Sequence, residues 1–109
     1  MEKINIKLLL DNKEMPYLYE GEATLNKDII EFNDQDTNYI YDKKINRLTK
    51  IKDKLKLVLD FDNEVMNIEE NGIEINKKFK IKKKKIIDKK INIIYSIENN
   101  EILFELEVK

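Results

Sequence analysis

The groups in this chain that could do chemistry are carboxylates and lysines, because the usual agents are missing. There is no His and no Cys, which excludes Ser-His and Cys-His nucleophilic sites, imidazole or thiolate metal ligation, and a disulfide framework. The single serine, Ser96, falls in an alternating apolar run and reads as a solvated or paired hydroxyl rather than a nucleophile. Gly21 and Gly72 are isolated, so no glycine-rich phosphate loop can be assembled. Asp34-Gln35-Asp36 and Asp60-Phe61-Asp62 bring carboxylates two residues apart. A calcium loop needs further ligands and a glycine to bend it, so both read as solvated turns. The expectation is a non-enzymatic chain with no catalytic residue, metal site or cofactor.

One stretch is distinctive: Lys77-Lys78-Phe79-Lys80-Ile81-Lys82-Lys83-Lys84-Lys85-Ile86-Ile87. Phe79, Ile81 and Ile87 set an apolar face, and strict alternation would bring Lys83 and Lys85 onto it. A buried, unpaired ammonium is costly. A β-bulge within Lys83 to Ile86 would shift the phase and return Ile86 to the apolar face. Alternatively, Lys83 and Lys85 line a lumen or rim that receives an anionic ligand. The residues named for contact with an anion or phosphate are Lys80, Lys82, Lys83, Lys84 and Lys85. A second use of the same strand is nucleic-acid binding, through a ridge of Lys80, Lys82 and Lys84 extended by Lys89 and Lys90. Only Phe79 lies within the tract as a stacking aromatic, and its alternation assigns it to the core.

Strands must position these groups. Ile4, Ile6, Leu8 and Leu10 share one face of an extended segment; Leu55, Leu57, Leu59 and Phe61 repeat the pattern. Ile91, Ile93, Tyr95 and Ile97 do so again, as do Ile102, Phe104, Leu106 and Val108. Period-two alternation is what a strand with one buried face requires. Asn71-Gly72 is the strongest hairpin signal, since both residues accept the positive φ of a type I′ turn. Asp42-Lys43-Lys44, Asp53-Lys54, Asp62-Asn63, Asp88-Lys89 and Glu98 to Glu101 are weaker turn signals. Breaks this short can join only antiparallel neighbours. The predicted strands are 4–10, 17–24, 28–33, 38–42, 45–51, 55–61, 64–70, 73–86, 91–97 and 102–108. Leu48, Ile51, Leu55, Val58 and Leu59 also fit a helical stripe, but Asp53-Lys54 divides that run. The fold expected over residues 1–109 is a single all-β domain: an antiparallel up-and-down meander closed into a calycin- or lipocalin-like barrel of about 8–10 strands, which leaves no open edge.

At 109 residues the chain suits one domain with a modest core, and 41% apolar with 39% charged residues is a globular balance under a heavily charged surface. The net charge of -1 argues against a whole-protein nucleic-acid clamp. Asp11 to Asp42 holds nine acidic residues against Lys13 and Lys27, while Asn76 to Lys90 holds nine lysines against Asp88. Arg47 is the sole arginine beside 20 lysines, and Ile and Asn abound, the signature of an AT-rich bacterial genome. No apolar run is long enough to span a membrane, and the opening residues carry no apolar signal core, so the expected compartment is the cytoplasm.

The order of these segments resembles the YwiB-like family of bacterial proteins of unknown function. The resemblance is carried by Gly21-Glu22-Ala23 opening onto Asp28-Ile29-Ile30-Glu31-Phe32, and by the runs Ile45 to Ile51 and Leu55 to Phe61. Asn71-Gly72, Phe79 to Ile87 and the Ile91 to Val108 hairpin complete it. It implies a calycin-like barrel, and with it a small ligand or a protein partner held at the barrel mouth. It implies no catalytic or ligand residues.

Overall fold

The computed structural model describes residues 1–12 and 16–109; of the acidic stretch, Lys13 and Glu14 lie outside the described residues. Among the described residues there are eleven strands and no helix: β1 (Glu2–Asp11), β2 (Tyr17–Asn26), β3 (Ile29–Asp34), β4 (Thr37–Asp42), β5 (Arg47–Lys52), β6 (Leu55–Asp60), β7 (Val65–Glu70), β8 (Ile73–Lys78), β9 (Lys80–Ile87), β10 (Lys90–Ile97) and β11 (Asn100–Val108). They form one hydrogen-bonded sheet in the order β8-β7-β6-β5-β4-β3-β2-β1-β11-β10-β9. The all-β antiparallel meander is therefore the fold, with one strand more than expected. The predicted segment 73–86 is two strands, β8 and β9, which stand at opposite ends of the sheet order with Phe79 alone between them in the chain. The helical stripe over Leu48 to Leu59 is not formed: β5 and β6 pair through Arg47↔Asp60 and Leu48↔Leu59.

The turns follow from residues that accept positive φ. Asn71 and Gly72 both do so, at 52° and 82°, as a type I′ turn requires. Glu98 and Asn99 reach 49° and 66° in the same role. Lys27, Gln35, Asp53 and Lys89 each supply one positive φ in the other two-residue loops. The two four-residue loops use Asn46 and Glu64.

The chain packs as two compact units, Met1–Lys3 with Ala23–Lys78, and Ile4–Glu22 with Phe79–Lys109. In the first, Ile30, Tyr41, Leu48 and Leu59 are successive cross-strand partners on β3 to β6, and all are at most 3% exposed. Phe32 stacks on its partner Tyr39, with ring centroids 4.8 Å apart. A row of directly opposed large apolar groups is how one sheet face excludes water. In the second unit, Leu8, Leu106 and Ile91 form the equivalent row, and Phe104 and Ile93 form the next. Phe79 is buried there and meets Tyr95 at 4.9 Å. Burial holds the Tyr95 phenol up at about 12.

Candidate anion-binding site

The lysine strand β9 is exposed at Lys80 and from Lys82 to Ile87. Ile81 lies opposite Tyr95, and Lys83 lies opposite Ile94, so Lys82 has no partner across the ladder. This is the phase break, one residue ahead of the predicted Lys83 to Ile86 interval. It brings Ile81 and Ile86 to one face of the strand, although Ile86 stays 53% exposed there. Ile81 shares the buried face of Tyr95, and Ile86 pairs with buried Ile91. Five residues of unbroken alternation would set the two isoleucines on opposite faces, so one residue must drop out of register.

The bulge decides what each lysine can touch. Lys84 comes to the face of Ile93, whereas Lys83 and Lys85 join the opposite face with Ile94 and Asn92. Lys80, opposite Ser96, shares the face of Lys83 and Lys85. Lys83 and Lys85 thus do not line the face on which Ile91, Ile93 and Tyr95 are buried. Together with Ile87, Lys90 and Asn92 they line an open cavity of about 270 Å³. Lys80, Lys82 and Lys84 are not among its lining residues.

The charges around this cavity are unevenly matched. The Lys90 ammonium lies 3.7 Å from Glu105 Oε1 and 4.0 Å from Glu107 Oε2. Asn92 Nδ2 donates to Glu105 Oε2 at 3.1 Å. The β11 glutamates therefore answer the charge on the β10 side. Among the described residues, neither Lys83 nor Lys85 has a carboxylate within ion-pair distance. Two exposed ammonium groups beside a polar amide and the apolar flank of Ile87 can hold an anion by charge-assisted hydrogen bonds.

The other residues singled out in the sequence have structural partners. Ser96 lies between Lys80 and Glu101 in the ladder, with no histidine in the chain to activate it. Asp60 and Asp62 diverge. Asp60 accepts from Arg47 Nη2 at 3.1 Å and from both the backbone and side-chain amides of Asn63, at 3.2 and 2.8 Å. Asp62 accepts from Asn46 Nδ2 at 3.3 Å. Burial pushes the Asp60 carboxyl up, but the Asn63 and Arg47 hydrogen bonds outweigh it and hold the group below its ordinary 3.8. No group of three or more metal-ligating side chains occurs among the described residues.

A second cavity, of about 260 Å³, was not expected from the sequence. It lies on β5 to β7, lined among others by Arg47, Lys56, Asp60 and Glu69, with Val58 and Val65 between them. Arg47 is its most specific group: Nη2 engages Asp60, while Nε is buried with no hydrogen-bond partner among the described residues. The signal was the one arginine retained among 20 lysines. Its mixed lining charges balance, which gives it less pull on an anion than the Lys83–Lys85 face.

Compared with known proteins, the chain matches no family model, no curated protein and no solved structure.

Proposed function

We propose that this chain is a non-enzymatic, cytoplasmic binding protein of the calycin-like, YwiB-like kind, and that it holds a small anionic ligand on the outer face of β9 and β10. The observation that carries this reading is the cavity lined by Lys83, Lys85, Lys90 and Asn92, in which, among the described residues, Lys83 and Lys85 have no carboxylate within ion-pair distance. Lys83 and Lys85 supply the charge, Asn92 a fixed donor and acceptor, and Ile87 an apolar wall. Glu105 and Glu107 neutralise the Lys90 side and direct the anionic end toward β9. The volume suits a group the size of a phosphate or a dicarboxylate rather than a folded partner.

The test is a two-dimensional NMR titration of the full chain with inorganic phosphate, and separately with succinate, at low ionic strength. Saturable shifts confined to Lys83, Lys85, Lys90 and Asn92, lost in Lys83→Gln/Lys85→Gln, support the proposal. Shifts that never saturate, or that spread over all lysines alike, refute it.

One observation favours a second reading, a nucleic-acid-binding module: Lys80, Lys82, Lys83, Lys84 and Lys85 are all exposed on one strand. A row of lysines tracks phosphates electrostatically, and affinity then falls steeply with salt. Titration with single-stranded and duplex oligonucleotides at low salt separates the two. Binding that weakens in proportion to added salt and involves Lys80 and Lys84 favours the nucleic acid. Absence of oligonucleotide binding, with phosphate retained, favours the small anion.

A further inference from the structure

The sheet ends on β8, which among the described residues has one hydrogen-bonded neighbour, β7. The two-residue Asn71-Gly72 turn makes Glu70 and Ile73 a hydrogen-bonded pair. Antiparallel alternation then turns the N–H and C=O groups of Ile73, Ile75 and Lys77 toward β7. Those of Glu74, Asn76 and Lys78 point to the open edge. The strand is exposed from Ile73 through Asn76, so solvent reaches this edge. On the same face, Asn67 Nδ2 donates to Glu74 Oε1 at 2.9 Å and to Asn76 Oδ1 at 2.5 Å, which fixes the Glu74 carboxylate in place.

We propose that β8 pairs with β8 of a second copy of this chain, antiparallel, about a two-fold axis through Asn76. Two independent considerations select the same register. The first is the backbone. Centred on Asn76, the pairing sets Glu74 opposite Lys78, Asn76 opposite Asn76, and Lys78 opposite Glu74, and every outward-facing N–H and C=O of the strand is satisfied. Centred on Ile75, it would set Glu74 opposite Asn76 and strand the polar groups of Lys78. The second is charge. The Asn76-centred register brings a carboxylate against an ammonium in both symmetric pairs, and opposite charges directly across a ladder are favourable. Lysines at a sheet edge ordinarily repel a neighbouring strand; here each Lys78 meets a Glu74. On the other face, the aliphatic stem of Lys77 is set opposite Ile75, which is 49% exposed. The contact is isologous, so it closes at two copies and does not propagate.

Sedimentation velocity of the full chain from micromolar to millimolar concentration tests this, with circular dichroism used to establish that each variant is folded. The native chain should dimerise reversibly. Glu74→Lys and Lys78→Glu should each weaken the dimer about tenfold, because each sets like charges opposite in two symmetric pairs. Combining the two swaps should restore the native dissociation constant to within a few-fold. A chain that stays monomeric throughout overturns the proposal and leaves the edge to an extended strand of another protein. A dimer indifferent to either single reversal, or one the double swap does not restore, overturns it equally. Asn76→Pro, which removes the central N–H, should abolish the dimer outright.

Discussion

The Tyr41 hydroxyl donates to the Asn46 side-chain oxygen at 2.5 Å, and Asn46 in turn donates to Asp62 at 3.3 Å. Asn46 is only 5% exposed and holds φ at 52°, while its carbonyl accepts from the Phe61 amide at 3.1 Å. One residue therefore ties together the β4–β5 turn, the buried face of β4 and the β6–β7 turn. Asn46→Ala loses both side-chain bonds, takes the Asn46 acceptor away from the buried Tyr41 hydroxyl, and forces a Cβ residue with no local hydrogen bond into left-handed backbone. We expect a loss of about 2–4 kcal/mol in urea unfolding. Asn46→Gly loses the same two side-chain bonds but is free of the backbone strain that alanine meets at this positive φ, so it should be less destabilised than Asn46→Ala by about 1 kcal/mol.

Acid sensitivity should centre on Asp60. Its carboxyl is held below 3.8 in the folded chain by Asn63 and Arg47 despite burial. A depressed folded value means that the stabilisation is complete above about pH 4, where an unfolded aspartate is ionised, and is lost as pH falls through the folded value. In chemical-denaturation midpoints followed from pH 6 downward, Asp60→Asn should lower the plateau and flatten the acid limb. An unchanged acid limb would assign the acid response elsewhere.

At the alkaline end, Tyr95 takes the corresponding role with the opposite sign. Burial raises its phenol from 10.0 to about 12. The folded chain therefore keeps a proton that the unfolded chain gives up, so stability is intact below about pH 10 and falls as pH rises toward 12. The loss attributable to this group is on the order of 2–3 kcal/mol. Tyr95→Phe should reduce the alkaline slope, read as the urea midpoint at several pH values. Burial, Asp62 and Asp42 raise the Tyr41 phenol as well, so phenolate absorbance should show two late-titrating tyrosines.

The lysine strand separates binding from stability. Lys83 is exposed and lies away from the buried Ile93 face. Replacing it by Met should change unfolding free energy by about half a kcal/mol or less, while weakening phosphate binding measured on the same sample. A marked stabilisation would mean that the ammonium had been desolvated.

Much of this architecture is legible in residue order, and the failures have physical causes. Asn71-Gly72 marks its hairpin because both residues tolerate left-handed backbone. Glu64, Gln35 and Lys27 perform the same conformational task without advertising it. Ile73, Ile75, Lys77, Phe79 and Ile81 keep a single parity across the junction of β8 and β9. Alternation reports which face a side chain occupies and not which strand lies alongside, so the split at Phe79 leaves no trace in the pattern. The odd spacing of Ile81 and Ile86 signals a bulge, but four consecutive lysines are interchangeable markers, and its position at Lys82 could not be chosen among them. The site moved with it: Lys83 and Lys85 face Lys90 and Asn92 instead of a lumen. Arg47 went unassigned because its meaning lies in Asp60, a partner thirteen residues away in sequence that only the β5–β6 register brings opposite.

The strand order carries a consequence for how the chain reaches this state. Of the neighbouring pairs in the sheet, all but one join strands consecutive in sequence; the exception is β1 with β11, where Ile6 meets Val108 and the Lys109 amide reaches the Asn5 carbonyl at 2.8 Å. Hairpins with two-residue connections close in about microseconds. Bringing the two outermost segments together costs the entropy of closing a loop nearly the length of the chain, a term that grows only logarithmically but must be met before its contacts reward it. Zippering should therefore run outward through the local hairpins, with the β1–β11 seam sealing last. Pulse-labelled amide exchange during refolding should show Leu9 and Glu105, whose amides face each other across the seam, gaining protection after Tyr41 and Leu48, and simultaneous protection would point instead to a nucleus that already contains the chain's most distant contact.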